Sequence, residues 1–249
     1  MNLEGKTAIV TGGGRDIGRA CAMRLAKAGA NVAINYYKSA DGAESAVKEI
    51  EAAGGRAFAM QGDMTKPDEV KALVERTAKE FGTIHVLMPV TGGLVARKTI
   101  PEITLEHWQA VMDLNVTSAL LLVQAALPHM TEGGAIVNMA SQAGRDGGGG
   151  GALAYGAAKG AVVTMTRGMA KELAPKNIRV NALCPGLIDT DFHNIFTKPE
   201  VRKMVAGNTP LKREGTSEEV ANLAVFLASD EASFITGANY DINGGILFS

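Results

Sequence analysis

Thr11-Gly12-Gly13-Gly14-Arg15-Asp16-Ile17-Gly18 decides the fold of this chain. It follows a short apolar run, Thr7-Ala8-Ile9-Val10, and opens a segment with helical spacing. Glycines there permit a tight strand-to-helix turn and let backbone N–H groups approach a pyrophosphate at the helix N-terminus. The strand before and the helix after are what that mechanism demands, and no Gly-Lys-Ser/Thr follows to make it a P-loop. A tight βα turn without a ligand is the plain alternative.

Outward from that turn, short apolar runs alternate with longer helical patterns, the signature of βαβ units. The runs are Val32–Ile34, Ala57–Met60, Val86–Met88, Ala135–Met139 and Arg179–Leu183, with Tyr240–Ile242 as a seventh strand. Helical spacing marks 19–28, where Ala22, Met23 and Ala26 share a side, and 67–80, with Pro67 in its first turn. The segments 103–130 and 152–174 are apolar on more than one side, which predicts burial against both the sheet and another subunit. Thr216 or Ser217 is placed to cap a last helix. The fold expected is α/β: a single Rossmann domain over 1–249, with a doubly wound, mostly parallel seven-stranded sheet and helices on both faces.

Other function classes are disfavoured by composition. With 46% hydrophobic residues among 249 the chain has ample core, and 25 Lys+Arg against 26 Asp+Glu give no bulk attraction to nucleic acid or an anionic membrane. The start enters an apolar run without a signal-peptide pattern, and no uncharged apolar 20-mer is found, so a cytoplasmic protein without nucleic-acid or membrane partners is expected. Cys21 and Cys184 make no disulfide framework, and four scattered histidines make a metal site improbable.

Tyr155-Gly156-Ala157-Ala158-Lys159 sets a phenol and an ammonium one helical turn apart. Bringing a phenol from pKa ~10 to neutrality takes roughly 4 kcal/mol of phenolate stabilisation. One cation about 4 Å away in a shielded site supplies that order of energy. The spacing therefore predicts that Lys159 lowers the Tyr155 pKa for proton transfer to or from a substrate oxygen. Ser141 ends the fifth strand at the carboxyl edge, where it can hold that oxygen. Asn115 is an unfavourable residue for mid-helix unless it bonds a neighbour or orders water. An isolated Tyr–Lys pair of this spacing is usually decoration; the glycine turn gives it weight.

With these motifs in order, the chain resembles the classical short-chain dehydrogenases/reductases from about Lys6 to Gly245, closest in appearance to the 3-oxoacyl-(acyl-carrier-protein) reductase-like branch. The resemblance implies Asn115, Ser141, Tyr155 and Lys159 as catalytic residues. It implies a dinucleotide site formed by Gly12, Gly14, Arg15, Asp16, Ile17, Gly18, Tyr36, Lys38, Asp63, Met64, Gly92, Tyr155, Lys159, Pro185, Gly186, Ile188 and Thr190. Asp63 corresponds to the family's adenine-binding aspartate, Ile188 to the residue whose backbone binds the carboxamide, and Asn115 to the residue that holds a water. A homotetramer paired through its long helices is also implied. Two departures stand out: Asp16 replaces the middle glycine of the turn, and Pro89-Val90-Thr91-Gly92 replaces Asn-Asn-Ala-Gly.

The second strand ends without a carboxylate, while Arg15 and Lys38 can flank a 2′-phosphate. NADPH/NADP is therefore expected over NADH, with NAD possible. The substrate is expected to be a small-molecule carbonyl or alcohol, under a lid formed by 189–210 and beside the 142–153 loop, with Arg97, Arg145 and His193 as polar candidates. The function expected is NADPH-dependent reduction of a ketone or 3-oxoacyl carbonyl. The alternatives are a sugar or polyol dehydrogenase and, from another class, a non-catalytic dinucleotide-binding protein.

Overall fold

A computed structural model describes residues 1–248. Seven strands form one sheet: β1 (Thr7–Thr11), β2 (Asn31–Tyr36), β3 (Ala57–Gln61), β4 (Ile84–Pro89), β5 (Met130–Met139), β6 (Arg179–Pro185) and β7 (Asn239–Ile242). Their order is β3-β2-β1-β4-β5-β6-β7, and each neighbouring pair is parallel. The order reverses between β1 and β4, which opens a crevice at the carboxyl ends of those strands.

Among the described residues, ten α-helices accompany the strands: α1 (Asp16–Lys27), α2 (Ala40–Ala52), α3 (Pro67–Phe81), α4 (Leu105–Met112), α5 (Ser118–Ala126), α6 (Ala143–Asp146), α7 (Leu153–Leu173), α8 (Asp191–Phe196), α9 (Pro199–Asn208) and α10 (Ser217–Ala228). Alternate residues of each strand face opposite layers. Ala8, Val10, Val32, Ile34, Val86 and Met88 pack with α1, α2 and α10. Ile9, Ala33, Leu87, Ile136 and Val180 pack with α3, α5 and α7. A central strand buried on both faces reads as a continuous apolar run, as β1 does.

Several elements differ from the sequence expectation. The side of α1 turned inward is Gly18, Cys21, Ala22 and Leu25, with Met23 and Ala26 only partly buried. Helix α2 lies in a segment whose small Ala43 and Ala46 pack at the core, a weak signal beside larger side chains. The stretch 103–130 is not one α-helix: a π-helical segment, Asp113–Thr117, separates α4 from α5. Its cause is visible at Asn115, whose Nδ2 donates to the Val111 carbonyl at 2.8 Å and so competes with the backbone ladder. Leu105–His129 is long and apolar enough to cross a membrane, with a mean hydropathy of 1.6. Here it packs instead on β4, α3 and α7 of the same chain. Thr216 caps α10 in a reciprocal box with Glu219, as its position predicts.

Candidate active site

The glycine turn lies at the switch point, and its shape is enforced by close packing. Gly12 has a φ of +63°, and a Cβ on Gly18 would lie 2.1 Å from the Gly12 carbonyl oxygen. Asn35, unrecognised in the sequence, braces the turn from β2. Its Oδ1 accepts from Gly12 N–H at 3.4 Å, its Nδ2 donates to the Gly62 carbonyl at 3.0 Å, and its backbone carbonyl accepts from Gly13 N–H at 2.8 Å. A polar residue inside a buried strand was the available signal. Gly42 of α2 is a second missed contributor: a Cβ there would lie 2.0 Å from the Gly14 carbonyl oxygen.

Asp16 adopts a φ of +49°, the region that explains the glycine usual at this position. Its carboxylate turns toward α8, where Oδ1 accepts from Asp191 N–H at 3.2 Å. Oδ2 pairs with Arg15 at 3.2 Å, and the same Arg15 nitrogen lies 3.3 Å from the Asp191 carboxylate. Burial raises the Asp16 pKa, opposed by the Asp191 N–H and by Arg15.

A cleft of about 870 Å³ runs from this turn along the carboxyl edge of the sheet. Gly12, Gly14, Arg15, Asp16, Ile17, Gly18, Tyr36, Lys38, Asp63, Met64, Gly92, Pro185, Gly186, Ile188 and Thr190 all border it. The structure thus brings together every residue expected at the dinucleotide site. Lys38 stacks its ammonium 5.7 Å from the Tyr37 ring centroid. Asp63 is engaged locally: its Oδ1 accepts from Thr65 N–H at 2.9 Å and from the Thr65 hydroxyl at 2.7 Å. The crevice beside β1, lined by glycines too crowded for side chains and open to backbone donors, fits a dinucleotide phosphate chain.

Ser141, Tyr155 and Lys159 converge farther along the same cleft. Ser141 follows β5, and its Oγ accepts from Ala143 N–H at 3.1 Å. Tyr155 and Lys159 share one side of α7, and Tyr155 hydrogen-bonds with Ser141. Lys159 is buried at 3% exposure, with its Nζ donating to the Met139 carbonyl at 2.7 Å. The nitrogen lies 5.7 Å from the Tyr155 ring centroid.

Contrary to the expectation from spacing, the phenol pKa is pushed up to about 12. Burial disfavours the phenolate and the Ser141 hydrogen bond only partly opposes it. Burial also pushes the Lys159 ammonium down to about 8. Tyr155 consequently carries its proton at neutral pH.

Asn115 stands behind this group. Its Nδ2 donates to the carbonyls of Gly93 and Val111, both at 2.8 Å, and its Oδ1 accepts from Gly93 N–H at 3.0 Å. Gly92 fits between: a Cβ there would lie 2.8 Å from Asn115 Oδ1 and 3.0 Å from Lys159 Nζ. In the departing Pro89–Gly92 stretch, Thr91 N–H donates to the Thr11 hydroxyl at 3.3 Å, which ties this loop to the end of β1.

The outer wall is apolar and aromatic. Leu94, Leu187, Phe192, Val201 and Val205 border the cleft, and the Phe192 ring lies 5.6 Å from that of Tyr155. Of the polar candidates, Arg145 does not line it. Its Nε pairs with Asp241 at 3.1 Å and its Nη2 donates to the Asn239 carbonyl at 2.8 Å, which anchors α6 to β7. Arg97 borders the cleft, its Nε donating to the Phe196 carbonyl at 2.8 Å and its Nη1 to the Gly150 carbonyl at 2.7 Å. His193 Nδ1 shares a 2.9 Å hydrogen bond with the Thr197 hydroxyl. Burial pushes its pKa down to about 4, reinforced by Arg202 and partly offset by Glu214, so the imidazole is neutral at pH 7.

A doubly wound sheet with a glycine turn at its switch point, and a Tyr–Lys pair and serine beyond it, defines a dinucleotide-dependent oxidoreductase. The family model described as "Enoyl-(Acyl carrier protein) reductase" matches residues 12–247. The chain belongs to the short-chain dehydrogenase/reductase family. It is 38% identical to a 3-oxoacyl-[acyl-carrier-protein] reductase of Staphylococcus epidermidis, over 97% of this chain and 98% of that one. It is 37% identical to glucose 1-dehydrogenase 2 of Bacillus subtilis, over 98% and 96%. Among solved structures, a short-chain dehydrogenase from Burkholderia cenocepacia in complex with NADP superposes with a TM-score of 0.92 at 36% identity, covering 99% of each chain.

Proposed function

We propose that this chain is an NADPH-dependent reductase of an uncharged ketone or 3-oxoacyl carbonyl. The observation that carries the reading is Tyr155: a crowded phenol, protonated at neutral pH, hydrogen-bonded to Ser141 and facing an apolar wall. When bound, the reduced nicotinamide supplies a hydride to the substrate carbonyl carbon. Tyr155 donates its proton to the oxygen, and Ser141 steadies the charge growing there. Lys159 holds a positive charge beside the phenol as it ionises. Asn115 fixes the Gly93 backbone against the π-helical segment, which keeps the floor of the site in place.

The glycine turn is assigned to the pyrophosphate, Asp63 and Met64 to the adenine end, and Pro185, Gly186, Ile188 and Thr190 to the nicotinamide end. NADPH is favoured by Lys38 on the cleft rim, by the lack of a carboxylate ending β2, and by the NADP-bound relative, while Arg15 on the same rim is paired with Asp16 and Asp191. A neutral substrate is favoured by the apolar outer wall and by Arg145 being paired with Asp241 away from the cleft. Residues 189–210 would serve as the lid. The sugar dehydrogenase reading draws on the Bacillus relative and is disfavoured by the apolar wall. A homotetramer is proposed from the exposed Leu105, Leu120 and Leu153 on α4, α5 and α7, and a cytoplasmic site of action accompanies it.

The test is a screen of acetoacetyl thioesters, simple ketones, sugars and polyols, followed by nicotinamide absorbance with both cofactors. Reduction of the thioester or ketones with NADPH is expected. Activity confined to oxidation of free sugars or polyols, or a preference for NADH, would overturn it.

A further inference from the structure

The family's middle glycine is replaced by Asp16, and the replacement has partners 175 residues away. Asp16 Oδ1 accepts from the N–H of Asp191, the first residue of α8, at 3.2 Å. Arg15 reinforces the join, lying 3.2 Å from Asp16 and 3.3 Å from the Asp191 carboxylate. The next residue, Phe192, sets its ring 5.6 Å from Tyr155 and 5.2 Å from Phe196. The far end of α8 is fastened separately: Arg97 donates to the Phe196 carbonyl and also to Gly150. One short helix is thus joined at its start to the turn and at its end to the glycine loop, while Asn194 in its middle accepts from Arg202 of α9.

Apart from these contacts α8 has little to keep it in place. It has no fully buried residue, and Ile195 is 66% exposed. A six-residue helix is far too short to be stable on its own. We infer that Asp16 is a positioning residue that fastens α8 to the glycine turn and thereby holds Phe192 over Tyr155, defining the substrate wall. An aspartate suits the task because it tolerates the left-handed backbone almost as asparagine does, while glycine would carry no acceptor. The turn therefore keeps its shape and gains a link to the wall of the site.

Asp16→Gly and Asp16→Asn separate the link from the turn. Glycine relieves the left-handed backbone and deletes the acceptor; asparagine keeps both the backbone tolerance and a side-chain oxygen. Backbone amide exchange over 190–197, followed with the full chain, reads the link directly. Asp16→Gly is expected to exchange there at least tenfold faster with the rest of the sheet unchanged. Its KM for a carbonyl substrate is expected to rise about fivefold or more, and kcat less than KM. Asp16→Asn should recover most of the protection and have a lower KM than the glycine variant.

Unchanged exchange in Asp16→Gly would overturn the inference, as would faster exchange with an unchanged KM. Asparagine exchanging as fast as glycine would also overturn it. The inference rests on the Tyr155 site, but the exchange measurement requires no substrate. A failed substrate screen therefore leaves the link testable.

Discussion

The Lys159 ammonium is secured by the carbonyl of Met139, the last residue of β5, at 2.7 Å. A carbonyl steadies the cation without neutralising it, so the charge stays available to an ionising phenol. Burial has brought its pKa down to about 8, so the charge is present below that pH and lost above it. In the reductive direction kcat should be level through neutrality and fall above about pH 8. A kcat–pH profile at saturating cofactor checks this, and a rate that stays level to pH 10 contradicts it.

Tyr155→Phe removes the proton donor and leaves the ring that faces Phe192. Turnover should drop about 10²- to 10⁴-fold, the usual range for a lost general acid. Binding of NADPH, followed by fluorescence, should change by no more than about threefold. A variant that keeps full turnover would remove Tyr155 from the mechanism; a parent chain that binds dinucleotide but turns nothing over would favour the non-catalytic reading.

Gly42→Ala sets local propensity against packing. In a helix, alanine is ordinarily favoured over glycine by about 1 kcal/mol. Here its Cβ would lie 2.0 Å from the Gly14 carbonyl oxygen, so backbone must move at the turn. The expected outcome is a lower melting temperature together with NADPH affinity weakened about tenfold. A stabilised variant with unchanged affinity would show that the turn tolerates the shift.

His193 predicts how stability responds to acid. Its pKa is depressed to about 4, chiefly by burial, from an ordinary value of 6.5. Between these values the unfolded chain takes up a proton that the folded chain refuses, so stability rises with pH. This contribution is complete above about pH 6.5 and declines as pH falls toward 4. Urea midpoints across that range should decrease with acidity, and less steeply in His193→Gln. Parallel slopes for the two proteins would contradict the assignment.

The sheet was legible because its inner strands are buried on both faces and read as apolar runs. The site was legible where one short spacing carries the chemistry, as in Tyr155–Lys159 and the turn at Gly12–Gly18. Contacts between segments distant in sequence were not legible. Arg145 looked like a free cation because Asp241 lies 96 residues away. The break in 103–130 comes from one amide, Asn115, taking a carbonyl that the helix would otherwise use. Tyr155 misled for a related reason: spacing gives the proximity of a cation, while the depth of burial that outweighs it is a property of the packed molecule.

Gly92, wedged against Asn115 and Lys159, divides the molecule into parts that can change and parts that cannot. A side chain there would disturb the proton donor's neighbourhood, whatever the substrate. Val201 and Val205 of α9 lie outside that wedge and also border the cleft. Substrate range can thus be retuned by varying these two positions while proton delivery is left alone, which makes them the natural sites for a mutant library.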